Sequence, residues 1–164
     1  KNNLFREISS TVKYKAESMN SIFYNKNKVV YQYKYGTGIK IGYTKSAGRC
    51  LVASAEKDGT RVIAVLLNDN NWFNDSYNIF DWVFENYKTY SIVEKGQFVT
   101  YADDGSPVFI DDSFRCILSE DEISQIKFEA IMEPVHLTDS TRIYGKYNIY
   151  LKDELIHTGN LICE

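Results

Sequence analysis

With 164 residues, 44% of them hydrophobic and 25% charged, the chain has the make-up of an ordinary globular protein, long enough for one domain or two small ones. A net charge of -3, with no basic stretch interleaved with aromatics, excludes a nucleic-acid footprint. No apolar run approaches the length of a membrane span, and no C-x-x-C pair exists to form a zinc knuckle.

In chain order, Asn2 or Asn3 can cap a short helix from residue 4 to about 12, with Leu4, Phe5, Ile8 and Val12 on one face. Residues 13–35 are rich in Tyr, Asn and Lys and hold no clear period; Asn25-Lys26-Asn27-Lys28 reads as a turn before an irregular approach to the next strand. Three strands follow, over 38–44, 50–55 and 62–67, with Asp58-Gly59 supplying the positive-φ residues of a tight hairpin. The near-continuous apolar character of the second and third strands implies burial on both faces. A helix then runs from Asn70 or Asn71 to about residue 87, with Trp72, Phe73, Ile79, Phe80, Val83, Phe84 and Tyr87 at helical spacing.

Beyond Lys88 the pattern changes to short alternating runs broken by Lys95-Gly96, Asp103-Asp104-Gly105, Asp111-Asp112 and Gly159. Residues 123–131 and 142–151 read as strands, with Lys152-Asp153-Glu154 as the turn before Leu155-Ile156. The chain therefore divides into an α+β part, residues 1–88, and an all-β part, residues 89–164. Cys50, Cys116 and Cys163 read as small buried apolar residues. His136 and His157 have no partner at metal-ligand spacing, so no metal and no cofactor is expected.

One stretch stands out, Gly38-Ile39-Lys40-Ile41-Gly42-Tyr43-Thr44, running on through Lys45-Ser46-Ala47-Gly48-Arg49-Cys50. Glycines at 36, 38, 42 and 48 let a backbone turn sharply or approach a ligand closely. Lys40 lies between apolar neighbours; it reads either as an anion receptor or as a surface lysine on a strand edge.

The longer string G-I-K-I-G-Y-T-K-S-A-G-R-C-L-V-A-S-A resembles the K-T-G region of the serine-type D-Ala-D-Ala carboxypeptidases, the low-molecular-mass penicillin-binding proteins, with Ile41 where the family has threonine. The final β-rich stretch, with G-K-Y-N-I-Y-L-K-D-E-L-I, is similar to the second domain of the same enzymes. The resemblance implies an α+β fold: a three-stranded antiparallel remnant of a penicillin-binding, β-lactamase-like sheet with flanking helices, followed by a small all-β, sandwich-like domain. It also implies substrate-binding roles. Lys40 would contact the terminal carboxylate of a peptidoglycan stem peptide or of a β-lactam, Tyr43 would lend its backbone N–H to an oxyanion hole, and Gly42 would keep the strand clear. Ile41 cannot donate the hydrogen bond of the family's threonine, and Trp72 stands where the family often has an arginine.

No nucleophile is expected in this chain. S-x-x-K occurs at Ser10-Lys13 and Ser124-Lys127, and S-x-N at Ser18-Asn20 and Ser76-Asn78, all at the wrong distance from Lys40 or on its wrong side. The expectation is the C-terminal portion of a carboxypeptidase acting outside the cytoplasmic membrane, inactive alone, pairing with a missing N-terminal half or with itself. The alternative is a non-catalytic paralogue that binds the cell wall or a protein partner.

Overall fold

The computed structural model describes residues 2–138 and 141–163, without side chains at 134–138 and 141. The chain is α+β and forms two compact units, Lys1–Asn86 and Tyr87–Glu164.

The first unit opens with helix α1 (Asn3–Ser10), whose N-cap Asn2 accepts a hydrogen bond from the Phe5 N–H at 3.0 Å. The polar stretch that shows no period in the sequence contains a hairpin, β1 (Lys13–Ala16) with β2 (Ser21–Tyr24), and a single turn of helix, α2 (Val29–Gln32). Its strands are four residues long and mostly exposed, so no alternation of apolar and polar residues announces them. The expected turn is built from side chains: Asn25 Oδ1 accepts from the Asn27 N–H and Asn27 Oδ1 from the Val29 N–H.

Next come β3 (Gly36–Thr44), β4 (Gly48–Lys57) and β5 (Thr60–Leu66), an antiparallel sheet in that order. Asp58 and Gly59 both have positive φ, 50° and 80°, and close the β4–β5 hairpin as their sequence suggests. One face of this sheet packs on helix α3 (Trp72–Asn86), burying Leu51, Ala53, Ala55, Ala64 and Leu66 against Phe80 and Phe84. Small alanines on the strands let the helix aromatics settle close to the sheet. Ser76 is buried as well, whereas Ile79 faces solvent. Burial of both sheet faces fails on β5, where Ile63 and Val65 are 59% and 62% exposed, while Ser54 on the same face of β4 is buried. A run of apolar residues cannot by itself report whether a second layer covers them.

The opposite face of the sheet meets α1 through an ion cluster, Arg6 and Arg61 on Glu56 at 3.1 and 2.6 Å. The Arg61 hydrogen bond is the main reason the Glu56 carboxyl sits below its usual range.

The second unit holds β6 (Lys88–Val93), β7 (Phe98–Tyr101), β8 (Pro107–Ile110), β9 (Phe114–Leu118), α4 (Glu120–Ile123), β10 (Ile126–Thr138), β11 (Thr141–Leu151) and β12 (Glu154–Cys163). A five-stranded sheet, β10-β11-β12-β8-β7, accompanies the β6–β9 pair. The strand expected from residue 123 begins at Ile126, because Ser119 and Glu122 form a capping box that starts the α4 turn. The core contains Val93, Val108, Ile110, Tyr147, Ile149 and Leu161. Tyr147 is wholly buried and donates its O–H to the Asp112 carbonyl; a Cβ at Gly159 would fall 2.4 Å from its ring. His157 stacks on Phe114 at 4.1 Å, a packing role, and the His136 side chain lies outside the described residues. All three cysteines are half-buried rather than buried. No helix among the described residues is long and apolar enough to cross a membrane.

Candidate functional site

The candidate site is the outer strand of the three-stranded sheet. β3 pairs with β4 along one edge, and among the described residues its other edge carries no strand of this sheet. Alternation along β3 sends Lys40 and Gly42 to one face and Ile41 and Tyr43 to the other.

The glycines that punctuate this stretch have separate uses. A Cβ at Gly36 would lie 2.0 Å from the Val29 carbonyl, and one at Gly38 3.1 Å from Ser9 Oγ, so these two serve close packing within the unit. Gly48, at φ 67°, gives way to Asn68. Gly42 differs: a Cβ there would meet nothing within 4 Å. Gly42 is thus the open step of the strand.

Lys40 is exposed and lies over the face that holds Cys50, Val52, Val65 and Leu67. Its ammonium donates to the Ile41 carbonyl at 2.5 Å. A primary ammonium next to apolar side chains can accept an anionic ligand. Ile41 turns away from that face and packs on the core between the sheet and α3. Tyr43 is 67% exposed beside the turn in which Thr44 Oγ1 accepts from the Ala47 N–H.

Trp72 begins α3, half-buried, with its ring 5.0 Å from that of Phe73 and in contact with the same core. Together with Tyr43, Gly48, Arg49 and Asn70 it lines a cleft at the far end of β3. Arg49 is the charged residue of this lining and was not singled out from the sequence. The signal was present: a β3–β4 turn placing Gly48 opposite Thr44 sets Arg49 opposite Tyr43.

The four serines of the short motifs are otherwise occupied. Ser10 Oγ donates to the Arg6 carbonyl at 2.9 Å, Ser76 Oγ to Phe73 at 2.7 Å and Ser124 Oγ to Asp121 at 2.8 Å, each back into its own helix. Ser18 is exposed in a 3₁₀ turn. Lys13 lies over the Tyr24 ring and Lys127 pairs with Asp153, so neither lysine is spent on its motif's serine.

Comparison with known proteins puts this geometry in context. Residues 1–71 match the family described as D-alanyl-D-alanine carboxypeptidase. Among solved structures, penicillin-binding protein 5 from Haemophilus influenzae is 20% identical with a TM-score of 0.68, over 96% of this chain and 49% of that one. Penicillin-binding protein 6B from Escherichia coli is 20% identical with a TM-score of 0.65, over 98% and 44%. A D-alanyl-D-alanine carboxypeptidase from Francisella tularensis is 22% identical with a TM-score of 0.59, over 87% and 38%. The chain is thus similar to the serine-type D-Ala-D-Ala carboxypeptidases and shares the fold of the penicillin-binding proteins, while spanning less than half the length of these three structures.

Proposed function

We propose that this chain is the C-terminal portion of a serine D-Ala-D-Ala carboxypeptidase. Its first unit would be the end of the catalytic domain, its second the β-rich domain that follows. The complete protein would remove the terminal D-Ala from peptidoglycan stem peptides through an acyl-serine, outside the cytoplasmic membrane, and would react with β-lactams.

Within it, Lys40, Ile41, Gly42 and Tyr43 form the strand along which the peptide lies. Lys40 holds its carboxylate, Gly42 leaves room for its backbone, and Tyr43 offers its N–H to the developing oxyanion. Ile41 contributes backbone alone, its side chain being given to the core. The observation that carries this reading is the open step at Gly42 beside the exposed Lys40, on a strand edge with no neighbour in the sheet among the described residues. The nucleophile belongs to the rest of the protein. The apolar row Ile63, Val65 and Leu67, all exposed, supplies a surface for the strands that precede this segment in the fold, or for self-association.

The test is labelling of the protein expressed from its full reading frame with a fluorescent penicillin, alongside the 164-residue chain. A covalent adduct on the former and an unmodified intact mass for the latter are expected. An adduct on Ser10 or Ser18 of the short chain would refute the assignment.

A second reading has its own support. Ile41 and Trp72 both serve packing where the resembling enzymes place hydrogen-bonding side chains. A non-catalytic paralogue that binds stem peptides or a protein partner is consistent with that; peptide binding by the full-length protein without turnover or penicillin labelling would establish it.

A further inference from the structure

We infer that the outer edge of β10 is a self-association surface, on which a second copy of this chain pairs its own β10 antiparallel about a two-fold axis at Phe128. The inference concerns the second unit and does not rest on the function proposed above.

β10 is the end strand of the five-stranded sheet, with β11 along one edge and, among the described residues, no strand of the sheet along the other. Backbone N–H and C=O groups on such an edge form a template for one more strand. Every residue from Lys127 to Met132 is exposed. Ala130 lies opposite the wholly buried Tyr147, so Ala130 and Phe128 belong to the core face of the sheet. Phe128 stacks on the Tyr147 ring at 5.7 Å, yet it is 44% exposed because the sheet stops beside it. A further strand would complete the cover of this ring.

Charge decides what that strand is. Edge lysines are a guard against foreign strands. Here Lys127 is followed two residues on by Glu129, both on the face away from the core. Residues directly opposite across an antiparallel pair share a face, which restricts the two-fold to registers centred on a residue. Centring on Lys127 or Glu129 sets like charges opposite each other, and centring on Ala130 sets Glu129 opposite Ile131. Centring on Phe128 sets Lys127 of each copy opposite Glu129 of the other and brings the two Phe128 rings side by side. The edge is therefore complementary to itself in that register.

Lys127 pairs with Asp153, and Glu129 Oε2 accepts from the Tyr150 O–H at 2.9 Å. An ammonium has three donors and a carboxylate two oxygens, so both keep capacity for the second copy. The usable edge ends at the register shift between Met132 and His136, which keeps the interface short. Interfaces of under roughly 1,200 Å² in total are typically weak, so the dimer is expected to form and dissociate with concentration.

The experiment is sedimentation velocity over a concentration series, on the 164-residue chain carrying Val65→Lys so that the apolar row of β5 does not contribute. This parent chain should dimerise reversibly. Lys127→Glu and Glu129→Lys should each weaken the dimer about tenfold or more, because two opposite-charge cross-strand pairs become like-charge pairs, with unchanged circular dichroism spectra. An equimolar mixture of the two variants should form a heterodimer of the parent's strength, and the double variant should recover the homodimer. Recovery in the mixture separates pairing between copies from loss of the Lys127–Asp153 contact within one copy, which mixing cannot restore. Absence of a dimer at every concentration, single variants that dimerise as tightly as the parent, or a mixture no tighter than either variant alone would each overturn the inference.

Discussion

The Cβ that Gly48 lacks would fall 2.0 Å from Asn68 Oδ1, and both residues sit at positive φ, 67° and 52°. This contact sets the β5–α3 loop against the start of β4 and so fixes the end of the cleft around Arg49. Gly48→Ala is expected to cost about 1–2 kcal/mol in backbone strain alone, with a further penalty from the clash. The melting temperature should fall accordingly. Adding Asn68→Gly should recover the steric share and leave the strain at residue 48; a double variant no more stable than the single one would show that the contact does not act as described.

Ile41 is a packing residue. Ile41→Thr removes apolar contact with the α3 core and brings a hydroxyl to it, which is expected to destabilise by about 1–2 kcal/mol. Ile41→Val should cost about 0.5–1.5 kcal/mol. Urea unfolding should show lowered midpoints at an unchanged slope. Wild-type stability for the threonine variant would remove Ile41 from the core.

Tyr33 donates its O–H to Asp81 Oδ1 at 2.6 Å, and its ring stacks on Tyr77 at 5.2 Å. Burial first, and then the Asp81 hydrogen bond, push its phenol far above the usual value of 10. Because the folded state holds the proton more tightly than the unfolded state, this group's stabilisation is complete below about pH 10 and is lost as pH rises above it. Tyr33→Phe should cost about 1 kcal/mol at pH 7, and the deficit should shrink between pH 10 and 11.5. A deficit constant across that range in chemical denaturation would contradict the assignment.

On the proposed reading, the exposed row Ile63, Val65 and Leu67 would be the surface through which the first unit associates. Val65→Lys places a charge on an outer strand, a device natural sheets use against edge pairing. It should leave stability within about 0.5 kcal/mol and raise the monomer fraction in sedimentation velocity. An unchanged distribution would locate association elsewhere.

Much of this architecture was legible in the chain. Strands β4 and β5 announced themselves by apolar runs, β3 by its glycine-punctuated stretch, the β4–β5 turn by Asp58-Gly59, and α3 by aromatics at helical spacing. The β1–β2 hairpin was not legible, because Tyr14, Ile22, Phe23 and Tyr24 face solvent and leave no half-buried alternation to detect. The capping box at Ser119 was written in the sequence, yet its single turn is too short to show a period. Of the site, Lys40 and Gly42 stood out from their setting, while Arg49 did not, since its importance depends on what lies across the turn and beside the helix.

What the sequence by itself determined is local: which segments extend or coil, where the backbone turns, and the motif that places Lys40 beside Gly42. Those features follow from side-chain periodicity and from φ preferences, both properties of neighbouring residues. Only the tertiary structure decided that three of four glycines serve packing and one stays open, that Ile41 belongs to the core, and that Arg49, Tyr43 and Trp72 meet in one cleft. Such outcomes depend on contacts between residues far apart in the chain, and no short window of sequence contains both partners.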